Sequence, residues 1–136
     1  MNALIAGQID YMCDAVSNVV PQLEGGTIKA YAIGTGARNP ALPNVPTSKE
    51  AGMPGFQASP FYGLFAPRGT PPPILDKLTA ALDRALDDEN TRKRLRDLGC
   101  DIPDKGKRGQ APLAALVKRE IARWTPIIKA ANITAE

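Results

Sequence analysis

The sequence predicts an α/β fold in which short strands lead into helices. The first observation is a set of three extended apolar segments, which cover residues 9–15, 28–34 and 57–66. The second is a change of period at Pro71, after which apolar residues recur every three or four positions, as on one face of a helix. The third is the clustering of prolines and glycines between these segments, where they would form turns.

The first 38 residues predict a helix end, a strand, a helix and a second strand. The expected ranges are, in that order, 2–6, 9–15, 17–23 and 28–34. Gly7 and the pair Gly25 and Gly26 would end the two helices, and Ser17 or Asn18 would cap the second one. The connection is long enough for a right-handed crossover between parallel strands.

The segment 39–55 is expected to link two structural regions. Three prolines occur between positions 39 and 46, so this stretch cannot form regular structure. Thr47 or Ser48 would then cap one helical turn that Gly52 ends. Few contacts are expected to cross the link.

Residues 56–136 predict one strand followed by three amphipathic helices. Thr70 is the expected N-cap of the first helix, because the prolines after it are tolerated only in a first turn. The second helix, over residues 89–98, would end at Gly99. The last, from about 112 to 131, contains Pro126, which should kink it or leave an unpaired carbonyl near Ala122. These apolar faces need a further surface to cover them.

Composition places the chain among soluble globular proteins, with 136 residues, 43% of them hydrophobic, and a net charge of +3. Basic residues concentrate at 92–96 and 105–108 with little aromatic interleaving, which favours solvated surfaces over nucleic-acid binding. Segment 1–7 lacks the features of a signal peptide. With no histidine and no CxxC motif, zinc chemistry is not expected. Cys13, in the first predicted strand, and Cys100 are interpreted as small apolar fillers rather than as a disulfide.

The inventory for catalysis is poor, so we expect a protein that is not an enzyme and holds no cofactor. There is no histidine to act as a base and no serine in a nucleophile elbow. Asp10 and Asp14 lack neighbours that would separate their pKa values. Gly25 and Gly26 are not followed by the lysine and hydroxyl residue of a phosphate loop.

Two adjacent motifs carry a resemblance to a known family. They are ALPNVPTSKEAG, at 41–52, and PGFQASPFYGLFAPRGTPP, at 54–72. The chain resembles here the periplasmic solute receptors of tripartite tricarboxylate transporters, the Bug family. Members typically carry ALPxVPTxxEAG, then PGF, an aromatic pair before glycine, and LFAPxGTP. The segments around residues 4–35 and 88–102 also look like family segments, so the resemblance covers nearly the whole chain.

The resemblance implies the C-terminal half of a bilobal periplasmic-binding fold of type II, in which two lobes close on a small organic acid. It places residues 1–38 in the second lobe, 39–55 in a proline-rich crossover and 56–136 in the first lobe. The implied partners are a carboxylate ligand and the membrane subunits of a transporter. The alternative is a truncated interaction module, such as a homodimer, that pairs through the surface the other half would cover.

Four residues are candidates for ligand binding. Asp14 matches the family's aspartate at the end of a strand, facing the cleft between the lobes; the alternative is a turn residue that caps the next helix. Ser17 has the same two interpretations. Phe61 and Tyr62 match the aromatic pair, in which neighbours on a strand point to opposite faces. We expect Phe61, where the family commonly has tryptophan, to close over a ligand, and Tyr62 to pack in the core or between lobes.

Overall fold

The computed structural model describes residues 1–134 and shows helices joined by turns and irregular segments. In this range the α-helices are α1 (Asn2–Ile5), α2 (Val16–Glu24), α3 (Pro72–Asp87), α4 (Glu89–Asp97) and α5 (Gln110–Ala130), with a 3-10 turn at Lys105–Lys107. The helices predicted from periodicity are therefore confirmed. Gly99, with φ of 70°, follows α4 as expected.

The three predicted strands are wrong: the structure forms no strand within the described residues. Segments 9–15 and 57–66 have no regular secondary structure, and segment 28–34 contributes one parallel bridge, between Ile33 and Thr47. A strand is stable only when a neighbour satisfies its backbone groups. These segments have few such neighbours among residues 1–134.

Burial expected for the first strand is also absent. Tyr11 is 83% exposed, and Cys13 is exposed rather than an apolar filler. Both Cys13 and Cys100 are free thiols, and Cys100 is half-buried. An apolar segment that finds no partner within the described chain remains in contact with solvent, whatever its own hydrophobicity.

The described chain divides into two compact units. The first unit combines Met1–Tyr62 with Asp88–Ile102, and the second combines Gly63–Asp87 with the described residues from Pro103 onward. The buried apolar side chains Val20 and Ile33 belong to the first unit, together with three buried polar residues, Asn39, Thr47 and Ser48. The core of this unit is thus small and largely polar.

The buried amide of Asn39 joins two distant parts of the first unit. Its Nδ2 donates to the carbonyl of Gly99 at 2.8 Å, and its Oδ1 accepts from the backbone of Ala41 at 2.9 Å. A buried amide without partners would cost about 1–3 kcal/mol, so both bonds are needed for this residue to be buried. The pair fixes the end of α4 against the proline-rich segment.

Thr47 begins the helical turn expected in the proline-rich segment. Its backbone N–H donates to Glu50 Oε2 at 2.7 Å, and the backbone N–H of Glu50 donates back to Thr47 Oγ1 at 3.2 Å, which is a capping box. Arg38 Nε donates to both carboxylate oxygens of Glu50, at 3.2 and 3.0 Å. Ser48 is not the cap; its hydroxyl donates to the carbonyl of Phe56.

The contacts of Glu50 predict an acid-dependent loss of stability. The Arg38 guanidinium, followed by the backbone and hydroxyl of Thr47, lowers the pKa of Glu50 from 4.5 to about 2. Because this pKa is depressed on folding, the contribution is fully present above pH 4.5 and is lost as pH falls towards 2. Glu50→Gln should therefore lower the melting temperature at pH 7 and converge with wild type near pH 2, as measured by circular dichroism.

Glu24→Gln, at an exposed carboxylate that ends α2, is the matched control. It should leave the difference in melting temperature between pH 7 and pH 3 close to the wild-type value. If both variants lose the same amount of the pH dependence of the melting temperature, then the overall charge of the protein, rather than the capping box, determines its stability in acid.

In the second unit, Arg108 holds the segment before α5 against α3. Its side chain is only 8% exposed, and Nη1 lies 2.9 Å from Asp83 Oδ1 and 2.9 Å from Asp87 Oδ1. Nε donates to the carbonyl of Pro103 at 2.8 Å. Lys105, 2.8 Å from Asp87, and then Arg108 lower the pKa of Asp87. This basic segment, expected from the sequence to be a solvated surface, is thus anchored by ion pairs.

Candidate functional site

The four candidate residues all lie in the first unit, on two segments that meet at the start of α2. Asp14 lies two residues before Val16, the first residue of this helix, and Ser17 follows Val16 directly. Phe61 and Tyr62 lie within segment 57–66 and end the first stretch of this unit. Ser17 Oγ lies 3.3 Å from the hydroxyl oxygen of Tyr62, although 45 positions separate them in sequence. The fold therefore brings together residues that the sequence indicated separately.

Asp14 forms a local turn at the entrance to α2. Its Oδ1 accepts from the backbone of Ala15 at 2.7 Å and from Asn18 Nδ2 at 2.8 Å. The amide of Asn18, followed by the backbone bond from Ala15, lowers the pKa of Asp14, so the carboxylate is ionised at neutral pH. Since it makes these bonds while exposed, it presents a fixed negative charge to solvent.

The capping role considered for Ser17 is wrong. The helix begins at Val16, with Ala15 in the N-cap position and no side-chain hydrogen bond to the cap. Ser17 therefore lies inside the first turn, and its hydroxyl points to Tyr62 instead. A helix start without a side-chain cap leaves the positive end of the helix dipole available to a negative group.

Tyr62, which was expected to pack in the core, is the more exposed of the two aromatic residues. Tyr62 is 73% exposed and Phe61 is 40% exposed. Tyr62 is thus not a core residue of the first unit, although its hydroxyl lies within hydrogen-bond distance of Ser17 Oγ. Packing between lobes stays a prediction for Tyr62, as does ligand contact for Phe61.

Sequence reasoning missed the supporting role of Asn18. It was considered only as a cap, yet its side chain orients Asp14 from four positions along the chain. The signal was local, because an aspartate just before a helix commonly accepts hydrogen bonds from groups a few residues further along the chain. Among residues 1–134, no group of histidine, cysteine or acidic side chains is arranged to hold a metal ion.

Comparison with known proteins decides the family. A family model described as the tripartite tricarboxylate transporter family receptor matches residues 1–133. The chain belongs to this receptor family. No helix in the described part of the chain is long and apolar enough to span a membrane.

Receptor-family relatives are found among curated proteins. A UPF0065 protein of Agrobacterium vitis is 37% identical over 132 residues, which is 97% of this chain and 38% of that protein. BugT of Bordetella pertussis is 27% identical over 130 residues, covering 93% of this chain and 38% of that protein. The chain thus spans less than half the length of these relatives.

Two solved structures share the fold. MatC of Rhodopseudomonas palustris, solved with bound malate, is 52% identical and superposes with a TM-score of 0.87 over 93% of this chain and 43% of MatC. The periplasmic binding protein BugD is 35% identical, with a TM-score of 0.88 over all of this chain and 45% of BugD. The fold class is confirmed: the chain has part of a periplasmic-binding-protein fold.

Proposed function

We propose that this chain is part of a periplasmic receptor that captures small organic acids for a tripartite tricarboxylate-type transporter, without chemical change to the ligand. The observation that carries the proposal is the match to a malate-bound receptor at 52% identity. The transporter subunits would be its macromolecular partners. Residues 1–38 would belong to the second lobe, 39–55 to the crossover and 56–136 to the first lobe, with the ligand held as the lobes close.

The chemistry at the start of α2 supports an acid that also carries a hydroxyl or amine. The hydroxyl groups of Ser17 and Tyr62 are donors suited to a carboxylate, and the positive end of α2 adds to them. The ionised carboxylate of Asp14 repels a second carboxylate at close range but accepts a hydrogen bond from a neutral or positive group. Phe61 would supply apolar contact above the ligand.

The chain alone is expected to bind dicarboxylates weakly. A carboxylate ligand needs several donors in place before its desolvation is offset, and only two hydroxyl groups are paired here. In a chimera where residues 1–133 replace the matching segment of MatC, malate binding should be restored. Isothermal titration calorimetry of the chain, the chimera and MatC measures this difference.

Two results would contradict the proposal. In the first, the folded chimera binds none of a panel of C4 and C5 dicarboxylates, while MatC binds malate under the same conditions. This would exclude small organic acids as ligands of the receptor. Tight binding by the 136-residue chain alone would place a complete site on residues outside the four named above.

A second candidate function is an interaction module, and the exposed apolar surface favours it. Tyr31, Leu64 and Phe65 are 79%, 59% and 66% exposed, which is unusual for large apolar side chains. We expect the isolated chain to associate at micromolar concentration. Light scattering that shows a compact monomer, together with no binding of an apolar dye, would contradict this.

A further inference from the structure

The two carboxylate oxygens of Asp14 differ in their partners. Oδ1 accepts a hydrogen bond from the backbone N–H of Ala15 at 2.7 Å and another from the side-chain amide of Asn18 at 2.8 Å. A carboxylate oxygen has about two lone-pair positions, so these two donors fill Oδ1. Within residues 1–134 both hydrogen bonds to this carboxylate end on Oδ1, and the side chain is exposed. Oδ2 is therefore the oxygen that remains open to a ligand.

We propose that Asn18 determines which small acids the site at the start of α2 prefers, because it fixes Asp14 with Oδ2 open to a hydrogen-bond donor of the ligand. This inference rests on the receptor function proposed above, which gives Asn18 no role. A hydroxyl or ammonium group on the ligand donates to Oδ2. A dicarboxylate without such a group gains nothing from Oδ2, so its affinity does not depend on how Asp14 is oriented.

Asn18 is the contact that sets this orientation. The terminal torsion of an aspartate has only broad preferences, so the single bond from the adjacent backbone of Ala15 leaves the carboxylate free to turn. The second bond comes from a side chain held within the helical residues Val16–Glu24. Because the carboxylate is fixed before a ligand arrives, binding is spared the entropic cost of ordering it.

The neighbouring hydroxyl groups define what else the ligand carries. Ser17 directly precedes Asn18, and its Oγ lies 3.3 Å from the hydroxyl oxygen of Tyr62. These hydroxyls donate to a carboxylate. Asp14 only accepts, since the bonds from Asn18 and then from Ala15 lower the pKa of its carboxyl and keep it ionised at neutral pH. Donors and an acceptor this close in the chain suit a ligand with both kinds of group on neighbouring carbons, such as a 2-hydroxy or 2-amino dicarboxylate.

The first measurement needs no ligand and uses the full 136-residue chain. Carbon-13 NMR of the carboxyl carbons during an acid titration measures the pKa of Asp14. Asn18→Ala and Asn18→Leu, which remove the donor with and without a loss of volume, should both raise this pKa. Both variants should fold, because Asn18 is exposed in α2 and alanine and leucine are better helix formers. Asn90→Ala, at an exposed asparagine of α4, is the matched control and should leave the pKa of Asp14 unchanged.

The second measurement is titration calorimetry of the MatC chimera with malate, free aspartic acid and succinate. The three ligands share one carbon chain and both carboxylates, and succinate lacks the donor group. In both Asn18 variants the affinities for malate and for aspartic acid should fall about fivefold, which is the cost of ordering one side chain on binding. The affinity for succinate should change less than about twofold, and Asn90→Ala should leave all three affinities at their wild-type values.

Failure of this inference is distinguishable from failure of the receptor function. An unchanged pKa of Asp14 in both Asn18 variants overturns the inference while the receptor function stands. The same holds if the affinities for malate and succinate fall by an equal factor, as a merely structural role of Asn18 would cause, or if both stay at their wild-type values. A folded wild-type chimera that binds none of the three ligands overturns the receptor function and this inference together.

Discussion

Replacing Gly99 by alanine is expected to destabilise the chain by about 3 kcal/mol. Gly99 has φ of 70°, a conformation that residues with a side chain rarely adopt. A Cβ at this position would also lie 2.4 Å from Cγ1 of Val16, which is too close for any real contact. Backbone strain and steric overlap therefore add at one position, where α4 packs against the start of α2. Urea denaturation followed by circular dichroism measures the loss.

Truncation of Val16 separates the two causes. In the double variant Gly99→Ala with Val16→Ala, the nearest overlap is removed, so the added cost of Gly99→Ala should fall to about 1–2 kcal/mol of backbone strain. Gly36→Ala is the control, because nothing lies within 4 Å of a Cβ built there. The same loss for Gly99→Ala in both backgrounds would show that Val16 does not limit this position.

Phe61→Ala in the receptor chimera is expected to weaken ligand binding by about 1–3 kcal/mol, or about 5- to 150-fold. The ring is 40% exposed in this chain, so a ligand and a closing lobe have apolar surface left to bury. Phe56→Ala is the matched control, since Phe56 is 44% exposed just before segment 57–66 but is not part of the aromatic pair. Titration calorimetry compares the two.

Two further variants test the polar part of the site. Tyr62→Phe removes the hydroxyl that lies near Ser17 and should cost about 1 kcal/mol of binding. Asp14→Ala should cost more than Tyr62→Phe if the carboxylate accepts from the ligand, and almost nothing if it only forms the turn with Asn18. Wild-type affinity in both Phe61→Ala and Asp14→Ala would remove these residues from the site.

The helices could be predicted from sequence because their signals are local. Gly99, with φ of 70°, follows the end of α4, and a repeat of three and four apolar positions identifies the face of α3. Each signal lies within a few residues of the structure that it predicts. Tertiary context was therefore not needed to place these elements.

The strands and most of the site could not be predicted in this way. Whether segment 28–34 becomes a strand depends on partners elsewhere, and the one bridge found among the described residues joins Ile33 to Thr47. The pairing of Ser17 with Tyr62 also depends on how distant segments pack. The bond between Asn18 and Asp14, in contrast, is local to the turn before α2. A structural feature could thus be predicted when its partners are close in the sequence and could not when they are far apart, whatever the residue types.

The bond between Asn39 and Gly99 has a consequence for the order in which the chain matures during translation. It joins positions 60 residues apart, and both belong to a unit whose two sequence segments are separated by residues 63–87. A ribosome must therefore release residue 99 from its exit tunnel before the amide of Asn39 acquires its partner. Until then, residues 1–62 lack the end of α4, and a chaperone or protease would meet them in an open state.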